Sequence, residues 1–209
     1  MLGMIKKDLC MVKNTKFLFL MALVICVIYS FMFDMDMSFF LPFMGVISIV
    51  STFSFDDYNN WHAYAATLPQ GKVSVVKSKY IVTIILTTIL TLVSILLGLV
   101  IGLIKNNYNF DIAISSIMGE LVAIISIAAI LFPVTFKYGS EKGRMVLIIF
   151  GLGLGIVGLL FSKVIDFKLP VELIMFVTKY SILLFTIAIV LILTISYVIS
   201  KKVYLKREF

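Results

Sequence analysis

The stretch Ile81–Ile104, IVTIILTTILTLVSILLGLVIGLI, carries no charge along its whole length. A continuous apolar run of about 20 residues is long enough to cross a bilayer as one helix. Working outward, Phe17–Phe33 and Met37–Phe55 precede it, and Met145–Ser162 and Ser181–Ser200 follow. A further span, 117–136, holds Glu120 near its start and is uncharged over Leu121–Phe136. The shortest run, Phe17–Phe33, is about 26 Å long as a helix, which suffices with little tilt. The runs are continuous rather than alternating, so they predict helices and not barrel strands, and lipid obliges each segment to satisfy its own backbone. Composition agrees. Of 209 residues, 62% are apolar and 14% charged, with a mean hydropathy of +1.15. A soluble domain runs about 45–50% apolar and about 25% charged. A soluble globular fold, disorder and a small disulfide scaffold are all excluded.

The net charge of +7 is unevenly placed. One side of the six spans collects Lys6, Lys7, Lys13, Lys16, Lys72, Lys77, Lys79, Lys137, Lys142, Arg144, Lys201, Lys202, Lys206 and Arg207. The other side has only Lys105, Lys163, Lys168 and Lys179, and its first turn is acidic, with Asp34 and Asp36. The positive-inside rule then puts both termini in the cytoplasm. A cleaved signal peptide is not expected, because the first run is too long and no small-x-small site follows it. Cys10 and Cys26 fall at different depths and are expected to stay reduced. One membrane domain, 1–209, fills the chain.

At the N-terminus, Leu2, Ile5, Leu9 and Val12 recur at helical spacing, with Lys6, Lys7 and Lys13 off that stripe. This predicts a short amphipathic helix over 1–15 lying in the inner interface. Between the second and third spans lies DDYNNWHAYAATLPQGKVSVVKSKY, Asp56–Tyr80. Asp56 or Asp57 is expected to cap a helix that Pro69 and Gly71 stop. Trp61, the single tryptophan, Tyr64 and Leu68 share one face of it. Two readings fit that face: a surface that fills a partner's groove, or an aromatic belt at the lipid headgroups.

Two patterns carry a resemblance. One is Asp57-x-x-Asn60-Trp61-x-x-Tyr64-x-x-Thr67-Leu68-Pro69, followed by Lys72, Val76, Lys79 and Tyr80; the other is Pro133-x-x-x-Lys137-Tyr138-Gly139-x-Glu141-Lys142-Gly143-Arg144. Both resemble the permease subunits of type-2 ATP-binding cassette exporters, and within them the small bacterial permeases that include the exporter of phenol-soluble modulins. The likeness extends over the chain in span count and order and is specific in these two loops. It implies an all-α integral membrane protein with six transmembrane helices, an N-terminal elbow helix, and a cytoplasmic coupling helix in 56–70. It implies that Asp57, Asn60, Trp61, Tyr64, Leu68 and Pro69 dock on a separate ATPase, which would bind ATP and Mg. It also implies a bacterial cell membrane, a second copy or a paralogue completing the path, and a peptide as substrate. The second loop, with Lys137, Glu141, Lys142 and Arg144, is expected to make a cytoplasmic contact or brace, and Lys137 and Glu141 are spaced to pair.

The remaining motifs are weaker. No G-x-x-x-x-G-K-[ST] cradle is present, so ATP hydrolysis is not expected in this chain. His62 is the single histidine and is expected to be a solvated loop residue; it supports neither a metal site nor a catalytic triad. Gly151-x-Gly153-x-Gly155-x-x-Gly158 lies inside an apolar span and is no dinucleotide fingerprint. Gly151 and Gly155 are expected to allow close helix packing, within one protomer or against a second. Thr83, Thr87, Thr91, Ser94, Gly98 and Gly102 read as a packing seam in the third span rather than a pore. Pro133 is expected to kink or end the fourth. Glu120 is the one intramembrane acid that could serve translocation. Met32, Met35, Met37, Phe39, Phe40, Phe43 and Met44 form either an adaptable wall for a hydrophobic substrate or lipid-facing surface. Leu169–Thr178 is expected as a short re-entrant or interfacial helix. Nucleic acid is not an expected partner. The rival classes are a membrane scaffold or sensor that recruits a partner through the same loop, and a secondary carrier, which the lack of buried ionisable groups disfavours.

Overall fold

The computed structural model describes residues 2–33, 40–69, 71–105, 110–149, 153 and 171–207, and every element among them is helical. The elements are α1 (Leu2–Lys13), α2 (Lys16–Phe33), α3 (Phe40–Tyr58), α4 (Trp61–Thr67), α5 (Gly71–Lys105), α6 (Phe110–Tyr138), α7 (140–149) and α8 (Val171–Leu205). Among the described residues, Phe40–Tyr58, Gly71–Lys105, Glu120–Tyr138 and Thr186–Leu205 are each long and apolar enough to cross a membrane. Leu2–Lys13 and Lys16–Ser30, bent by 55° at their junction, together make a fifth. The turn with Asp34 and Asp36, most of the run 145–162, and Gly151 and Gly155 lie outside the described residues.

Helix length decides how the basic end is built. α5 and α8 each have 35 residues, about 52 Å at the helical rise, against a hydrocarbon core of about 30 Å. The surplus carries most of their lysines to one end, while Lys105 and Lys179 lie toward the other: Lys72, Lys77 and Lys79 begin α5, and Lys201 and Lys202 end α8. These two ends meet, with Lys72 Nζ donating to the Arg207 carbonyl at 2.8 Å. α5 is the hub, packing against α3, α1, α8, α4 and α6, while α6 runs along α8. An aromatic column fills the space between them. Phe53 stacks edge-on against Phe136 at 5.0 Å, Phe136 against Tyr204 at 5.0 Å, and Tyr80 against Phe132 at 4.8 Å.

The hydroxyl stripe of α5 is a self-satisfied seam. Thr83 donates to the Lys79 carbonyl at 2.7 Å, Thr87 to Thr83 at 2.8 Å, Thr91 to Thr87 at 2.7 Å and Ser94 to Thr91 at 2.9 Å. All four side chains are buried. Hydroxyls that bond back to their own helix present methyl and methylene surface to neighbours, so helices approach closely with no polar group stranded.

Two expectations need correction here. Residues 171–178 are not a separate short helix but the first turns of α8, because no Gly or Pro interrupts the chain after Pro170. Of the two outcomes expected at Pro133, a kink or an end, the end does not occur, since α6 continues to Tyr138.

Gly71 marks the tightest backbone approach. Leu68 is extended, the chain turns, and α5 starts where a Cβ on Gly71 would lie 1.8 Å from the Ala65 carbonyl oxygen. Gly98, by contrast, has open space around it. Gly71→Ala is expected to destabilise the protein by about 3 kcal/mol, as overpacking against backbone does, and Gly98→Ala to change it by less than about 0.5 kcal/mol. Thermal unfolding in detergent distinguishes the two.

Candidate functional site

α3 carries two adjacent acids just past its apolar run, and adjacent positions on a helix face about 100° apart. Asp56 and Asp57 therefore serve different neighbours. Asp56, fully buried, joins a closed ring of four charges. Lys7 Nζ sits 2.5 Å from Asp56 and 3.2 Å from Asp8; Lys79 Nζ sits 2.6 Å from Asp56 and 3.0 Å from Asp8. Each cation touches both anions and the ring is neutral. Lys79 donates hydrogen bonds to Asp8 and, at 2.8 Å, to the Thr52 hydroxyl, and Ser78 donates to Asp8 at 3.2 Å. The ring joins α1, α3 and α5 through side chains that are almost wholly buried; only Lys7 keeps some exposure, 20%.

Asp57 turns the other way. It accepts the Ser140 backbone N–H at 2.8 Å and lies 3.3 Å from His62 Nε2. His62 Nδ1 is 2.7 Å from the Tyr204 hydroxyl, and the two rings meet edge-on. Burial pushes the Asp57 carboxyl upward, but the bonds from His62 and Ser140 outweigh it and hold the group well below the usual carboxylate range. One carboxylate thus ties α3 to the start of α7 and, through His62, α4 to the end of α8.

This overturns two expectations. Asp56 and Asp57 do not cap α4; they sit in the last turn of α3, and the cap position of α4 is Asn60, left-handed at φ 51°, without a side-chain cap bond. Asp57 caps α7 instead, across the bundle. His62 is not solvated but buried, at 5% exposure, because the chain turn at 59–60 rolls it under α4 onto Tyr204.

α4 is consequently held from beneath and open above. Its inner side is His62 and Ala65, both buried; Ala63, Tyr64 and Thr67 face outward. Tyr64 is 57% exposed and Tyr58, just before the turn, 86%. Trp61 and Leu68 are half-buried, and Asn60 and Pro69 are exposed. The Trp61 ring lies 5.3 Å from that of Tyr64 and beneath Lys7 Nζ at 4.3 Å. Of the predicted face, Trp61 is thus partly engaged with α1, and Tyr64 is its most open member.

The second loop is a brace built on Gly139, whose φ of +89° is a left-handed geometry that suits glycine. That break separates α6 from α7, so the helical i, i+4 relation between Lys137 and Glu141 is lost and they form no ion pair. Lys137 and Lys142 instead flank the exposed Tyr138 ring at 4.8 and 5.0 Å. Arg144 donates to Ser54 at 2.9 Å, a second tie from α7 to α3. Glu120 is not brought to this site; it lies on α6 about 27 Å of helix from Tyr138. Phe43 and Met44, near the start of α3, are half-buried and packed against the core, and Met35, Met37 and Phe39 lie outside the described residues.

The sequence reading missed Lys7, Asp8, Asp56 and Lys79 as a unit, and His62 with Tyr204. One signal was present. Asp8 falls three residues after Ile5 and four before Val12, squarely on the apolar stripe, where an acid calls for a buried partner.

A family model described as "ABC-2 family transporter protein" matches residues 3–205. No curated protein and no solved structure matches the chain.

Removing one member of a buried ion pair costs about 3–5 kcal/mol, because the other is left uncompensated. Asp56→Ala and Lys79→Ala are each expected to lose that much stability, and Lys7→Ala less. The double variant Asp56→Leu/Lys79→Met, which leaves Lys7 paired with Asp8, is expected to lose less than the sum of its single counterparts. Strict additivity in thermal unfolding would contradict the ring.

Proposed function

The chain belongs to the ABC-2 family of transporter proteins, and from that membership we propose that it is the membrane-spanning subunit of an ATP-driven exporter. Permeases of this family work with an ATPase subunit. ATP and Mg would reside there, and this chain would supply the path and receive the stroke. The basic end would face the cytoplasm by the positive-inside rule, and the family resemblance implies a bacterial cell. The spans are 17–33, 37–55, 81–104, 117–136, 145–162 and 181–200, with an elbow helix over 1–15 and a coupling helix within 56–70. Two copies, or this chain and a paralogue, would enclose a route for an amphipathic or hydrophobic substrate, with peptide the class that the resemblance implies. Gly151, Gly155, Phe43, Met44 and Glu120 are the proposed path or dimer contacts.

The observation that carries this reading is the anchoring of α4. It is a short helix at the basic end, open on its outer face, and tied beneath to α1, α3 and α8 by Lys7 over Trp61, Asp57 beside His62, and His62 on Tyr204. A partner pressing on Tyr64 and Trp61 would move a rigid body rather than a loose loop. The second loop, with Lys137, Glu141, Lys142 and Arg144, shares that body through Asp57 and Ser54. Coupling further requires that the ATPase bind the two path conformations with different affinity.

Tyr64→Ala removes a largely exposed ring and its contact with Trp61, and Trp61→Ala removes that contact and the one with Lys7. Each is expected to weaken co-purification of the ATPase about tenfold or more, as loss of an aromatic hot spot does, with Tyr64→Ala leaving membrane insertion and thermal unfolding unchanged. Full co-purification and undiminished stimulated ATPase activity in both variants would refute the docking role.

A further inference from the structure

α1 presents two unlike stripes. Its protein side is Met4, Ile5, Asp8 and Val12, half-buried or buried against α5 and α3. Its outward side is Leu2, Lys6, Leu9 and Lys13, spaced i, i+4, i+7 and i+11, which lie within about 60° of one another on a helix. Leu2 is 82% exposed, Leu9 38%, and both lysines are exposed. Past the 55° bend, Lys16 and Phe17 continue the exposed surface. Asp8 is the single acid in residues 1–33, and the ring with Lys7 and Lys79 holds it buried. The outward stripe therefore has no acidic neighbour on its own helix or on α2.

Leucine and lysine alternating on one face suit neither water nor a protein core. They suit the plane between acyl chains and phosphates, where leucine enters the acyl boundary and lysine stems snorkel to anionic oxygens. Uncompensated lysines distinguish an anionic surface from a zwitterionic one, at about 1 kcal/mol each. We propose that the outward stripe of α1 binds anionic phospholipid headgroups, with Lys6 and Lys13 as the phosphate ligands and Leu2 and Leu9 as the anchors. Because Lys7 and Asp8 of the same helix hold Asp56 and Lys79, and Lys7 also covers Trp61, the lipid charge that seats α1 also biases the position of α4. The inference rests on the reading of the basic end as a membrane-surface end.

Cys10, exposed beside the stripe, is a native reporter, and buried Cys26 is its internal control. The full chain is reconstituted in vesicles of phosphatidylcholine alone or with phosphatidylglycerol, and reacted with a water-soluble maleimide. Phosphatidylglycerol is expected to slow Cys10 labelling, and Lys6→Gln and Lys13→Gln to reduce that protection about fivefold each, the equivalent of ~1 kcal/mol per lysine. Lys6→Arg/Lys13→Arg is expected to keep it. Equal rates in the two lipids would overturn the proposal, as would slow labelling in both lipids with Cys10–Cys10 cross-linking, which would place a second copy on the stripe. Labelling of Cys10 from outside intact cells would refute the cytoplasmic placement of this end and leave the vesicle result to stand alone.

Discussion

The structure depends on four charges that are taken out of water together. Lys7, Asp8, Asp56 and Lys79 would each be costly to bury alone, by several kcal/mol per ion. As a closed ring of two cations and two anions, with every contact between 2.5 and 3.2 Å, they offset one another's charge. The ring forms only when α1, α3 and α5 are all in place, so it selects one arrangement of three helices that apolar packing alone would leave free to slide. Lipid supplies no hydrophobic force between helices, which makes specific polar ties at a helix end correspondingly important.

Around that ring the basic end becomes a single body. Asp57 carries the connection to α7 and, with His62, to Tyr204 at the end of α8. Tyr80 bonds Ser196 at 2.6 Å and Ser200 at 2.9 Å, and Ser196 donates to the Ala129 carbonyl of α6. Among the described residues, α1, α3, α4, α5, α6, α7 and α8 are each tied to another helix here by a side-chain contact. In the proposed exporter, such a body transmits a push on α4 as a displacement of helices. The apolar remainder of the bundle, joined by methyl-lined seams such as that of α5, is where sliding costs least.

Much of this was legible in the sequence. Uncharged runs bounded by lysine announce membrane helices, because lipid penalises any other use of such segments. The loop Asp56–Tyr80 advertised a short helix through its Pro and Gly. The cap, the buried histidine and the Lys137–Glu141 pair were misread for one reason: each was judged by local spacing, whereas Asp57 answers to Ser140, His62 to Tyr204, and Gly139 breaks the helix that would have aligned the pair.

What the sequence determined by itself is therefore the medium and the class. Hydropathy and charge placement act locally and sum along the chain, so an all-helical membrane protein with one strongly basic end follows without any contact being known. Which carboxylate meets which ammonium was decided only by the tertiary structure. Asp8 and Lys79 are 71 positions apart, and Asp57 and Ser140 are 83. Pairings at that separation are fixed by how the helices pack, since a charge buried in the bundle has stability only where another element delivers its counter-charge.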